Sequence, residues 1–153
     1  MDAVTYPETK VADFVNRYFV PARIDFKDNP DVAAKFGVMW SPTILFIDPV
    51  DGIVHHQFTG YLPPDAYLAE THIGLGKIAF DHNKFEEAAG WFQKAVAEFP
   101  ETEAAPQAQY YLGVAQYKRT GRPDGLKEAW KVLLKRYPKS SWATKASFIE
   151  DKE

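Results

Sequence analysis

The feature that most constrains this chain is a helical pattern that occurs twice in its C-terminal half. Residues 83–100, NKFEEAAGWFQKAVAEFP, place apolar side chains at steps of three and four, which predicts a helix with one buried face. Asn83 and Glu86 predict a capping box at its start, and Pro100 predicts its end. A second such helix is predicted after Pro123, with a buried face made of Leu126, Ala129, Trp130, Leu133, Leu134 and Tyr137.

The two units also agree in their spacing. Gly76 precedes Pro100 by 24 residues, and Gly113 precedes Pro138 by 25 residues. Leucine stands directly before each of these glycines. The arrangement resembles the tetratricopeptide repeat, which has Leu-Gly on its first helix, small and aromatic residues on its second, and then proline.

The resemblance implies a domain of paired helices over residues 64–153. Its parts are expected to be helical hairpins at 64–100 and 102–138 and a capping helix at 140–150, with Ser140 or Ser141 as its N-cap. An unrelated bundle of four or five helices is the alternative. Two repeats are fewer than the ~3 that independent stability normally needs, so we expect them to pack against the N-terminal half.

Such repeats ordinarily bind a peptide or protein in a concave groove lined by their first helices. The pattern assigns eight residues of this chain to that groove: Glu70, Ile73, Lys77, Phe80, Tyr110, Val114, Tyr117 and Lys118. Any of them could equally be a packing or surface residue. The pair of Lys77 and Lys118 does not match the basic and asparagine set of the known carboxylate-clamp repeats.

The N-terminal half, by contrast, predicts an α/β unit. FVPARIDF, residues 19–26, alternates in a way that predicts a strand, and a short helix is predicted from Pro30 with Asn29 as its cap. TILFID and IVHHQFTG predict two further strands, and Asp51-Gly52 between them is a hairpin signal. The helix predicted from Pro64 continues without a linker into the first repeat, so one shared helix is expected.

Residues 1 to about 70 resemble a thioredoxin-like protein from its active-site helix onward, in the order helix, strand, helix, hairpin, helix. The similarity is carried by MDAVTYPETKVADFVNRYFVPARIDF, FGVMWSPTILFID, the following DG and GYLPP. We assign residues 1–68 to this truncated thioredoxin-like unit. In that family, the proline before the third core strand has a cis peptide bond and shapes the surface that receives a substrate's backbone. The resemblance implies that role for Trp40, Ser41, Pro42 and Thr43, although Trp40 could instead be a core residue.

The absence of cysteine decides what chemistry this unit can perform. Without cysteine the chain has no disulfide, no thiolate metal ligand and no cysteine nucleophile. The family's CxxC motif would lie just before Met1, together with a strand that is central in the family's sheet. Two interpretations stay open: the sequence is a fragment or a mis-started reading frame, or it is a natural remnant that repacked without this strand. If the strand is absent, unpaired edges of ARIDF and TILFID are expected to promote self-association.

Composition and the remaining motifs argue against other classes of function. A net charge of -3 and a pI near 5.8 give no electrostatic reason to expect a nucleic acid or an anionic membrane as partner. There is no phosphate-binding glycine loop and no Ser-His-Asp pattern. His55 and His56 are adjacent on a strand and point to opposite faces, and His72 and His82 lack a helix-face spacing. We therefore predict no metal site and no cofactor.

These observations predict a non-catalytic protein-interaction module with an α/β unit joined to helical repeats. The alternative is a thiol-disulfide oxidoreductase whose CxxC motif lies upstream of Met1 and whose repeats recruit the client. MDAVTYPETK lacks the pattern of a signal peptide, so a cytoplasmic location is expected, or a periplasmic one if a longer parent carries a signal.

The 153-residue chain is predicted to have no thiol-redox activity. Disulfide exchange requires a thiolate to attack a disulfide sulfur, and the chain supplies none. In an insulin-reduction assay with dithiothreitol, its rate should equal that of the blank without protein. A rate clearly above the blank would contradict the assignment as non-catalytic.

Overall fold

A computed structural model describes residues 1–152 of the chain. The described part contains seven α-helices, two β-strands and a final 3₁₀-helix. In chain order these are α1 (Thr9–Tyr18), α2 (Pro30–Lys35), β1 (Thr43–Ile47), β2 (Val54–Thr59), α3 (Pro64–Asp81), α4 (Phe85–Glu98), α5 (Ala105–Thr120), α6 (Asp124–Arg136), α7 (Ser141–Ala146) and the 3₁₀-helix Ser147–Lys152. Among these residues, no helix combines the length and the apolar character that a membrane span requires.

Helix α3 lies between the two halves of the molecule. It runs unbroken for 18 residues, which confirms the prediction of one shared helix. Pro64 at its first turn suits a helix start, because the missing amide would have had no helical partner there. The helix contacts the β-hairpin on one side and α4 on another, so most of its surface is buried.

Two glycines of α3 allow these close contacts. A Cβ atom on Gly74 would lie 2.5 Å from Cδ1 of Phe46 in β1, and one on Gly76 would lie 2.5 Å from Cε1 of Phe92 in α4. Real Cβ atoms do not approach other atoms so closely, so each glycine makes room for an aromatic ring. Gly76 is thus a site of close approach between α3 and α4.

The predicted apolar stripes form the cores of the helical hairpins. In α4, Ala88, Phe92 and Ala95 are completely buried and pack with residues of α3 and α5. In α6, Trp130 and Leu133 are buried in a second cluster that includes part of α7. The hydroxyl of Tyr137 donates a hydrogen bond of 2.9 Å to the carbonyl oxygen of Pro100, which connects the ends of α4 and α6.

The helix caps agree only in part with the prediction. The capping box of Asn83 with Glu86 is wrong, because α4 begins after Lys84 and its N-cap makes no side-chain hydrogen bond. Asn83 instead has a left-handed backbone with φ of 61°, a conformation that asparagine tolerates better than most residues. Ser140 does cap α7, since its hydroxyl accepts a hydrogen bond of 3.0 Å from the amide of Ala143.

The two strands form an antiparallel hairpin, as Asp51-Gly52 predicts. Thr43 pairs with Thr59, and the register continues to Phe46 opposite His56. The next pair is Ile47 with Val54, so β2 contains an extra residue, His55, at a β-bulge. A bulge changes the direction of its side chains, so the strict alternation that we assumed for His55 and His56 does not hold here.

The predicted strand at residues 19–26 does not form. Residues 19–25 have no regular secondary structure, and Val20 is 97% exposed. In the part of the chain that the structure describes, the sheet consists of β1 and β2 alone, and the segment pairs with neither of them. Without a paired neighbour, its backbone cannot form the hydrogen bonds of a strand. The observed order is therefore helix, irregular segment, helix, hairpin, helix, and the thioredoxin-like assignment of this half stays a prediction.

Glycine-to-alanine substitutions should separate close packing from helix propensity. We expect Gly76→Ala to destabilise the fold by ~1–3 kcal/mol, because the new methyl group overpacks against Phe92. Gly90→Ala in α4 is the matched control: its Cβ would meet nothing within 4 Å, so a gain of ~0.5–1 kcal/mol is expected. Urea denaturation measures both changes, and equal effects at the two positions would contradict this account.

The exposed apolar side chains of the irregular segment should promote self-association. We expect the Val20→Lys/Ile24→Lys variant to associate less than the wild type, because both apolar side chains are more than half exposed. Val132→Lys is the control, since Val132 is an exposed valine of α6. Sedimentation velocity over a range of concentrations measures the effect, and a wild type that stays monomeric throughout would contradict it.

Candidate functional site

A polar cleft lies where strand β2 faces the first helices of the repeats. Its volume is about 390 Å³. Strand β2 supplies one wall, α3 supplies a second, and the first turn of α5 closes one end. The residues that line it are Val54, His55, His56, Gln57, Glu70, Lys77 and Gln107.

Two aromatic rings in contact, each with a lysine ammonium over its face, connect α3, α5 and α7 beside this cleft. The ammonium of Lys77 lies 5.0 Å from the centre of the Tyr111 ring. Tyr111 is 5.5 Å from the ring of Trp142, and the ammonium of Lys145 lies 3.9 Å from that ring. We call these four residues the cation–aromatic ladder. It connects the first helices of successive hairpins with the capping helix α7.

The positive charge of Lys77 is only partly compensated by the acidic residues near it. Burial lowers the pKa of Lys77, because an ammonium loses part of its hydration there, and Glu70 and Asp81 only partly offset the effect. The charge of Lys145 lowers the pKa of Lys77 further. Glu70 is already engaged, since its Oε2 lies 2.5 Å from Nε2 of His56. An anion placed near Lys77 would therefore meet a poorly compensated positive charge.

Only two of the eight groove residues predicted from sequence line this cleft, namely Glu70 and Lys77. Four others are packing residues: Ile73 is completely buried, Phe80 packs on Phe85 and Tyr111, Tyr110 stacks on Trp130, and Val114 belongs to the core around Trp130. Tyr117 and Lys118 are exposed but do not belong to the cleft lining. Tyr110 and Val114 are half-buried and pack against the cluster around Trp130, and their assignment to a groove stays a prediction.

Sequence reasoning missed three members of the ladder, namely Tyr111, Trp142 and Lys145. Tyr111 directly follows Tyr110, so a rotation of the predicted helix face by one residue would have found it. Trp142 and Lys145 lie in α7, which we regarded only as a cap. Their spacing of three residues, which puts two side chains on one helix face, was the available signal.

The predicted proline loop has a different environment. The peptide bond between Ser41 and Pro42 is cis, which confirms that prediction. The hydroxyl of Thr43 donates to the carbonyl oxygen of Trp40 at 2.7 Å. Trp40 is 71% exposed, so its interpretation as a core residue is wrong. Together with residues 23–27, Trp40 and Ser41 border a second cleft of about 540 Å³.

The histidines have different environments: His72 lies in the core, and His55 and His82 meet two aspartates. His72 is buried, stacks on Phe14 of α1 with ring centres 4.5 Å apart, and has a lowered pKa because burial disfavours its charged form. His55 and His82, which we did not compare in the sequence, come together with Asp48 and Asp51. The ligand atoms of these four side chains all lie within 4.8 Å of one another, a set that could hold a metal ion.

Comparisons with known proteins found matches for the helical half of the chain. Residues 69–102 match a family model of the tetratricopeptide repeat, and residues 107–140 match a second model of that repeat. These two matches support the tetratricopeptide interpretation of the helical half. Searches of curated proteins and of solved structures found no match. No match supports the thioredoxin-like interpretation of residues 1–68.

Proposed function

We propose that this chain is a non-catalytic protein-interaction module that binds an acidic peptide segment along the cation–aromatic ladder. Tetratricopeptide repeats generally mediate contacts between proteins, which supports the general class of function. The acidic character of the peptide is our more specific proposal. The observation that carries it is the pair of lysines held over aromatic rings on α3 and α7.

The energetics of Lys77 favour a carboxylate as its ligand. Its ammonium is partly desolvated, and the nearby charge of Lys145 opposes its own. A carboxylate within about 4–6 Å of an ammonium stabilises the charged form, so binding would relieve both effects. Tyr111 and Trp142 add flat aromatic surface, which interfaces use at a low cost in conformational entropy.

The proline loop offers a second surface in the same proposal. By resemblance to thioredoxin-like proteins, Trp40, Ser41, Pro42 and Thr43 would receive an extended backbone of the partner. The exposed ring of Trp40 and the adjoining cleft are compatible with this role. This unit would then contribute contacts to the partner without any redox step, because the chain has no cysteine.

Peptide selection on the 153-residue chain tests the proposal. Peptides selected from a random display library should be enriched in Asp and Glu, and their affinity should fall as salt rises. The Lys77→Ala/Lys145→Ala variant should bind a selected peptide at least ~10-fold more weakly by fluorescence anisotropy, which corresponds to about 1.4 kcal/mol. Each substitution removes one cation from the ladder.

Two controls make this result specific. Lys127→Ala removes an exposed lysine of α6 and should leave the affinity unchanged. Trp40→Ala separates the two surfaces: it should weaken a longer partner that also reaches the proline loop, and it should not affect a short peptide. Equal binding of the selected peptides to the wild type and to the double lysine variant would contradict the proposed groove.

A further inference from the structure

The group of Asp48, Asp51, His55 and His82 lies where the hairpin meets the end of α3. Asp48 follows β1, Asp51 is in the turn, His55 is the bulge residue of β2, and His82 is the residue directly after α3. The side chains of His55 and Asp48 are 4% and 9% exposed, whereas those of Asp51 and His82 are 24% and 32% exposed, so the group is open to water on one side.

The two carboxylates are oriented by the backbone of the turn. Oδ1 of Asp48 accepts a hydrogen bond of 2.8 Å from the amide of Val50, and Oδ1 of Asp51 accepts one of 2.8 Å from the amide of Ile53. In both residues Oδ2 is left to face the histidines: Asp48 Oδ2 lies 2.6 Å from His82 Nε2, and Asp51 Oδ2 lies 3.0 Å from His55 Nε2. The positions of both carboxylates are thus fixed without help from the histidines.

An additional carboxylate outside the group orients His55. Asp81 Oδ2 lies 2.6 Å from Nδ1 of His55, on the opposite side of the ring from Asp51. A neutral imidazole has one N–H group, so it can donate to only one of these two carboxylates. If Nδ1–H donates to Asp81, the lone pair of Nε2 points into the group. This carboxylate–histidine pair is the arrangement that commonly orients a metal-ligating histidine.

This arrangement is favourable only if the histidines are protonated or a cation lies among the ligands. Three carboxylates surround two histidines, and a lone pair of His55 facing Asp51 is repulsive unless a proton or a cation lies between them. Asp51 Oδ2 is also 3.5 Å from His82 Nε2, so one carboxylate faces both rings. One divalent cation supplies the same charge as two protons.

The distances suit a small tetrahedral cation. Four ligands at ~2.0–2.1 Å from Zn²⁺ lie about 3.3 Å from one another in a tetrahedron. The separations of 2.6, 3.0 and 3.5 Å lie around that value, and the largest separation in the group is 4.8 Å. The largest separation would have to close by about 1.5 Å to complete the site. Imidazole nitrogens favour Zn²⁺ and similar transition metals over Mg²⁺ and Ca²⁺.

We propose that Asp48, Asp51, His55 and His82 bind a divalent cation of the Zn²⁺ type, with Asp81 orienting His55, and that the cation fastens the hairpin to the end of α3. All four coordination positions come from the protein, so the site is structural. The prediction from sequence that the chain has no metal site is replaced by this proposal. The β-bulge is the feature that directs His55 towards α3.

Titration of the chain with Zn²⁺ by isothermal calorimetry tests the proposal. We expect one Zn²⁺ per chain and a higher melting temperature with Zn²⁺ than with a chelator. Asp51→Asn and His82→Gln should abolish this binding. Asp81→Asn should weaken it by about 10–100-fold, because Asp81 acts through His55. Co²⁺ in place of Zn²⁺ should give the visible absorption of a tetrahedral site.

Two matched variants distinguish this site from adventitious binding. Asp28→Asn and Asp13→Asn each change an exposed aspartate outside the group. Both should bind Zn²⁺ as the wild type does. Absence of Zn²⁺ binding, or equal binding by wild type, Asp51→Asn and Asp81→Asn, would overturn the proposal and leave the group as ion pairs. Because Asp81 is half exposed, its variant tests the site even if His82→Gln fails to fold. Equal affinity for Mg²⁺ would overturn the assignment to a transition metal.

Discussion

The packing of two aromatic rings on α3 is the contact on which the rest of the structure depends. Gly74 receives Phe46 of the hairpin, and Gly76 receives Phe92 of the first repeat. Because these glycines are two positions apart on one helix, their rings approach from different sides, and both halves of the molecule attach to the same segment. His72 extends the arrangement, since it stacks on Phe14 and so docks α1 on this helix too. Two repeats, fewer than usually fold alone, are thereby supported by the N-terminal half.

The parts of the fold that depend on local pattern could be predicted from sequence. Steps of three and four residues identified α4 and α6, and Asp51-Gly52 identified the hairpin. The segment at 19–26 has the alternation of a strand, but a strand needs a neighbour, and alternation says nothing about whether one exists. At Asn83 two uses of asparagine competed, a cap and a left-handed residue, and the turn after α3 selected the second.

The candidate sites were harder to predict because one depends on how a helix is rotated about its axis and the other on the pairing register of two strands. Tyr110 and Tyr111 are adjacent residues of the same type, yet only Tyr111 faces Lys77. The stacking of Tyr110 on Trp130 fixes the rotation of α5 about its axis. His55 and His82 are 27 positions apart and belong to different elements. Their meeting depends on one extra residue in β2, and the register of Phe46 opposite His56 that reveals it is not visible in the sequence.

Strand β2 contributes His55 to the proposed metal site and also forms a wall of the cleft beside the ladder, and this connects the two sites physically. His55 belongs to the group of Asp48, Asp51, His55 and His82, and it also lines the cleft beside Lys77. His56 contacts Glu70 on the opposite wall of that cleft. A cation that binds only when the hairpin is docked on α3 stabilises the docked state by mass action. The same docked state forms the β2 wall of the cleft. By linkage, a peptide that contacts this wall would then bind more tightly with the cation present, and the cation would bind more tightly with the peptide present, by the same factor.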